Sequence, residues 1–268
     1  MKSSRSVLLA LALSGVLAVT AACGDKKDDG GVAPAAASGS TSAAASPSAD
    51  ARTELIGAFK KLTGGTVAYT TATDTGAVAS TKLTGFSDPA NKTNSGKMTI
   101  TTQGQQLTAE VIVVGTDLYL KVGAPIPGVD PKKWMYVDGS KTSLSKLGLG
   151  NPDDPANVKG LADAFVSVER TGTGAYKGTF DATKRQMPAA AGALLQQMGD
   201  AAKSVPFEAT VNADGYVTSL TMQMPAAGQV PASTVTTTFA DFGKPVTISK
   251  PAAADVQPAP AALLAQFA

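Results

Sequence analysis

The chain has 268 residues, with 23 Lys plus Arg set against 21 Asp plus Glu, and 43% of its side chains are hydrophobic. Near balance of charge, without a basic stripe interleaved with aromatics, argues against a nucleic-acid partner. There is no histidine and a single cysteine, which removes Ser-His-Asp and Cys-His catalysis, the commonest metal ligand and any structural zinc set. The expectation is therefore a protein that is not an enzyme and has neither cofactor nor metal. An enzyme working through carboxylates alone is the catalytic class left open, because the approach of two carboxylates to within roughly 5–9 Å is a tertiary matter.

Lys2 and Arg5 form a short basic head, residues 7–19 an apolar run, and Ala21 and Ala22 stand just before Cys23. That is the layout of a secretory signal peptide over residues 1–22. The run is shorter than the roughly 20 apolar residues a membrane-spanning helix needs, so an exported chain is expected. In "SGVLAVTAACGDKKDD" the cysteine directly after the small-residue cleavage site resembles a bacterial lipobox, although Thr20 stands where lipoboxes usually carry leucine. The resemblance implies that Cys23 is acylated and becomes the first residue of the mature chain. Two or more acyl chains, at about 0.8 kcal/mol per buried methylene, hold a protein stably on a membrane, so the expected location is the outer face of the cell membrane. Residues 24–49 are rich in Gly, Ala, Ser, Thr and Pro and cannot repay their ordering entropy by burial. With Cys23 they read as a tether reaching on the order of 30 Å.

The composition changes at Asp50, a good N-cap, after which Leu55, Phe59 and Leu62 recur at helical spacing until Gly64 and Gly65. A helix over residues 51–62 is predicted. From Thr66 the period drops to two: "TVAYTTAT", "AVASTKLTGF", "GKMTITT", "QLTAEVIVV" and "DLYLKV" are rich in Thr, Val and Tyr and punctuated by Gly, Asp and Asn. "KKWMYVD" continues the meander after a proline-rich loop. "NPDDP" reads as loop punctuation before a short helix at residues 156–165, and strands follow at "FVSVERTG" and "AYKGTFD". "GTGAYKG" is one residue too long for a dinucleotide fingerprint and lies between strands, so it reads as a hairpin turn. A helix over residues 187–203 has Pro188 in its first turn. "FEATVN", the Asp214-Gly215 turn, "YVTSLTMQM" and "STVTTTFADF" complete about ten strands. "FGKP" lacks the first glycine and the final Ser or Thr of a phosphate loop and also reads as a turn. Few, separated helices beside one long antiparallel sheet make an α+β fold.

"LYLKVGAPIPGVDPKKWMYVD", "FEATVNADGYVTSLTMQM" and "TTTFADFGKPVTISKP" together resemble the LppX and LprG type of actinobacterial lipoprotein. The resemblance runs over roughly residues 55–251 and implies a LolA-like half-barrel: one strongly curved antiparallel sheet wrapped around a few helices, with an apolar cavity between them. It further implies a lipid-anchored extracytoplasmic protein that carries or displays acylated lipids or glycolipids. The domain is expected over residues 50–251, with residues 252–268 a C-terminal tail. The family supplies no catalytic residues.

Candidate lining residues follow from strand and helix faces. Val111 and Val113 share one face of their strand. Leu118 and Leu120 share another and must point inward, because Lys121 on the opposite face resists burial. Tyr119 falls on the side of Lys121, where added bulk is expected to be tolerated. Leu220 and Met222 share a face late in the chain, and Leu194 and Met198 lie on the second long helix. Ordinary core accounts for each of these eight taken singly, and Trp134 reads as core or pocket rim. The alternative to a lipid binder is a non-catalytic envelope scaffold or interaction lipoprotein whose sheet packs solidly and holds no lipid.

Overall fold

The computed structural model describes residues 49–76, 79–140, 158–184, 189–226 and 231–264. The signal peptide, Cys23, the tether, "NPDDP" and Pro188 lie outside the described residues. The chain opens with helix α1 (Ala49–Lys61) and runs through strands β1 (Val67–Asp74), β2 (Ala79–Asp88), β3 (Thr93–Thr102), β4 (Gln105–Val114), β5 (Asp117–Val122) and β6 (Trp134–Asp138). Helix α2 (Val158–Ala164), β7 (Phe165–Gly172), β8 (Ala175–Phe180) and helix α3 (Ala189–Met198) follow. The chain closes with β9 (Val205–Val211), β10 (Val217–Met224), β11 (Ser233–Ala240), β12 (Val256–Pro258) and one helical turn, α4 (Ala261–Leu264).

All twelve strands belong to one curled sheet, in the order β12-β6-β5-β4-β3-β2-β1-β11-β10-β9-β8-β7. Every pairing is antiparallel except that of β12 with β6. The fold is α+β, as the periodicity predicts. The hairpins are local consequences of sequence: between β3 and β4, Gln103 and Gly104 both take positive φ, the conformation a two-residue type I′ turn requires.

The structure departs from the sequence reading at three places. Within the predicted C-terminal tail, residues 256–259 are part of the fold, since Val256–Pro258 pairs with Trp134–Tyr136 and Ala259 is buried. Three residues are too short to reveal a period, and a proline among them reads as a break, which is why this strand escapes the pattern and the count exceeds ten. The helix predicted over residues 187–203 is divided into α3 and a 3₁₀ turn at Gly199–Lys203, because Gly199 adopts φ +55° and leaves the α-helical region. Tyr119 is buried at 7% exposure, its ring 5.6 Å from that of Tyr136. Its face of β5 is thus covered, and added bulk there meets packed neighbours.

Two apolar clusters hold the sheet. The larger gathers α1, α2 and α3 against β7 to β10, with Leu55, Phe59, Phe165, Val205, Phe207 and Val217 at its centre. Helix α1 amounts to a stripe: Ala51, Leu55, Ala58, Phe59 and Leu62 are buried at i, i+4, i+7, i+8 and i+11, with Asp50 in the first turn and Lys60 and Lys61 in the last. The smaller cluster sits on β4, β5 and β6, around Leu118, Val113, Met135 and Val137, and is closed by Ala259, Leu263 and Leu264 after β12.

Candidate functional site

Residues paired across a strand ladder point to the same side of the sheet, so the register traces one face across the molecule. Phe239, Tyr69, Gly85, Gly96, Val111, Leu120 and Met135 form one continuous row. The next row runs from Leu220 through Thr237, Thr71, Leu83, Met98 and Ala109 to Val122. A third holds Met222, Val235, Thr73, Thr81, Ile100 and Leu107. Both apolar clusters stand on this inner face.

The inner face is almost free of charge. Lys82, Lys97, Glu110, Asp117, Lys121, Glu169, Lys177 and Glu208 all fall on the opposite side by the same register. Among the described strand residues, the one charged side chain on the inner face is Arg170, and it meets the carboxylate of Glu54 on α1, which also accepts a 2.9 Å hydrogen bond from the Tyr176 hydroxyl. That pair is half-exposed beside Tyr176 of the larger cluster, at the far end of the sheet from β4 and β5.

Between the clusters lies a strip where the inner face is only half-buried. Leu83, Met98, Ile100, Leu107, Ala109, Val111 and Leu120 all keep partial exposure there, as do the hydroxyl-bearing Thr71 and Thr237, whose Oγ1 atoms are 3.0 Å apart. A strip of aliphatic side chains and self-satisfied hydroxyls, with no charge to desolvate, can take up an apolar surface without stranding a polar group.

One edge of the strip is a single aromatic side chain. Tyr69 starts on β1, lies over Gly85 of β2 and Gly96 of β3, and shares its single hydroxyl proton between Asn94 Oδ1 at 3.0 Å and the Ser95 carbonyl at 3.1 Å. Removal of the phenol from water pushes its pKa up to about 12, against a smaller opposing effect of the Asn94 hydrogen bond. A Cβ on Gly96 would fall 3.1 Å from Val111 Cγ1, 3.2 Å from the Tyr69 hydroxyl and 3.3 Å from Leu83 Cδ1, so these three side chains converge above that glycine. Beyond Tyr69 the next row is Val67, Ser87, Asn94, Val113 and Leu118, and Ser87 Oγ is buried there without a hydrogen-bond partner among the described residues.

The predicted lining residues divide between the two clusters. Val113 and Leu118, directly paired, are 3% and 0% exposed in the smaller cluster, and Val111 and Leu120, also paired, pack on its margin beside the strip. Leu220 and Met198 are buried in the larger cluster, and Met222 packs against it. Leu194 lies on α3, its side chain outside the described residues. The strip itself is made mostly of residues absent from the predicted set: Leu83, Met98, Ile100, Leu107 and Tyr69. Their alternation is present in "STKLTG" and "KMTITT", but threonine on both faces hides it.

A separate pocket of about 290 Å³ opens beside the last turn of α1, lined by Lys61, Leu62, Thr66, Val67, Tyr216 and Phe242. The Tyr216 and Phe242 rings stack at 4.5 Å, and Lys61 Nζ lies 5.3 Å from the Tyr216 centroid while donating to the Asp214 carbonyl at 2.6 Å. None of the predicted lining residues borders it. No cluster of His, Cys, Asp and Glu able to hold a metal occurs among the described residues. No described helix is long and apolar enough to cross a membrane. No protein-family model and no curated protein matches the sequence.

Proposed function

We propose that this protein is a membrane-anchored, extracytoplasmic lipoprotein of the LppX and LprG type, with a LolA-like half-barrel, that binds acylated lipids or glycolipids non-covalently for transport or presentation across the cell envelope. The observation that carries this reading is the uncharged, half-buried strip of the inner face between two packed clusters. Moving an acyl chain into water costs about 0.8 kcal/mol per methylene, so a lipid crossing an aqueous layer needs an apolar container. Leu83, Met98, Ile100 and Leu107 supply apolar surface on the inner face of the curled sheet, with a packed cluster on either side of it. The protein does no bond-breaking in this role; it lowers the free energy of the lipid outside a bilayer. Acylation at Cys23 supplies the anchor in the same reading.

The scaffold alternative draws on a different observation. Val113 and Leu118 are packed as tightly as any core and are covered by the chain's own Leu263 and Leu264. One experiment separates the two. The full chain is expressed in an envelope-bearing bacterium, extracted gently and examined by native mass spectrometry, with Met98→Trp in parallel. Lipid binding predicts co-purified acylated lipid in the wild type and a marked loss of it in the variant, whose thermal stability stays near wild type. A wild type that emerges without lipid and takes up no radiolabelled fatty acid would favour the scaffold.

A further inference from the structure

We infer that Tyr69 is a transverse stop that sets the length of acyl chain this protein accepts, an inference that rests on the lipid-binding reading above. The inner face is graded along its strands. At the β3–β4 hairpin end the row is Ala79, Thr102 and Gln105, small and polar across β2 to β4, with Ser233 of β11 and Met224 of β10 paired beyond. The two rows that follow carry Leu107, Ile100, Met98, Leu83 and Ala109. Then comes Tyr69, reaching from β1 to its hydrogen-bond partners on β3 and so spanning two strand spacings, roughly 10 Å. A chain entering at the polar row and running parallel to the strands meets the ring side-on after roughly 20 Å, the rise of six residues.

The bar is built and not incidental. Glycine is depleted in strands, yet Gly85 and Gly96 stand directly opposite each other in the middle of two ten-residue strands, where they clear the floor on which the ring lies. A hydroxyl proton shared between Asn94 Oδ1 and the Ser95 carbonyl then pins its far end, and Leu83 and Val111 close against it. Behind it Val67, Ser87 and Val113 are already buried, so the ring is the last side chain of the inner face that an entering chain meets before packed core.

The test is competition among a homologous series of radiolabelled saturated fatty acids for the full chain, comparing wild type with Tyr69→Phe, Tyr69→Leu and Tyr69→Ile. Loss of the ring opens the row it covers above Gly85 and Gly96, roughly 7 Å of strand. Each extra methylene buried is worth about 0.8 kcal/mol, or roughly fourfold in affinity, so the Leu and Ile variants should favour the longer homologue over the shorter by at least about tenfold more than wild type. Tyr69→Phe keeps the ring and should keep the wild-type preference. Should the aliphatic variants fail to fold, the wild type still decides: a fatty acid with a photoreactive group at its methyl end should label peptides containing Tyr69 and Leu83. Unchanged chain preference in folded variants, or labelling of Ser87, Asn94 and Val113 beyond the ring, would overturn the stop while leaving lipid binding intact. A wild type that binds none of the series would overturn both.

Discussion

Replacing Gly85 and Gly57 separately by alanine should move stability in opposite directions, and the structure gives both magnitudes. Gly57 is exposed in the middle of α1 with nothing within 4 Å of a built Cβ. Alanine there loses less backbone entropy on folding than glycine and should stabilise by roughly 0.5–1 kcal/mol. At Gly85 the same methyl group would collide with the Ser95 carbonyl and come within 2.6 Å of the Tyr69 hydroxyl and 2.7 Å of its Cζ. The ring must lift, breaking its shared hydrogen bond worth about 1 kcal/mol, and the strand must yield at an overpacking cost of about 1–3 kcal/mol. Offset by the entropy gain, the net loss is about 2 kcal/mol, or roughly 4–8 °C in Tm for a domain of this size. Urea titration and thermal melts of the two single variants measure both signs. Gly85→Ala as stable as wild type would show that Tyr69 does not lie across β2, and the account of the inner face would fail with it.

Leu118→Ala, in a site with 0% exposure among Val113, Met135 and Val137, should cost about 3–5 kcal/mol by chemical denaturation, whereas Leu83→Ala in the half-buried strip should cost less than about 2 kcal/mol. Equal losses would mean that the strip is packed like the cluster. Tyr69, through burial, and Tyr136, through its 2.8 Å hydrogen bond to Asp117, both have pKa values pushed up from 10.0 to about 12. The folded state holds these protons more tightly, so the contribution is complete below about pH 10 and is lost as pH rises from about 10 to 12. Melts across that range, with ultraviolet absorbance following tyrosinate, should show Tm falling and Tyr136→Phe falling less steeply; an ionisation near pH 10 that disappears in Tyr69→Phe or in Tyr136→Phe would contradict this. In cells fed an alkyne fatty acid, wild type should be labelled and Cys23→Ala should not, as read by in-gel fluorescence.

The amino-acid sequence by itself determined the α+β class and nearly every element of it. Leu55, Phe59 and Leu62 announce α1, and the Val, Thr and Tyr alternation announces eleven strands, because helix and strand periods are local properties of the chain. The inward direction of Leu118 and Leu120 was equally legible, since Lys121, next to Leu120 and on the other face, had to find water. The Thr-rich strands β1, β2 and β11 were less informative, as threonine favours strand on either face and so conceals which side is buried. Only the tertiary structure decided the rest. The reach of Tyr69 across β2 to β3 and the return of β12 to the far edge join residues distant in sequence, where no local spacing constrains them. So does the division of the apolar residues into two packed clusters and an open strip: each is equally hydrophobic in the sequence, and what separates them is which neighbours the ladder register brings within reach.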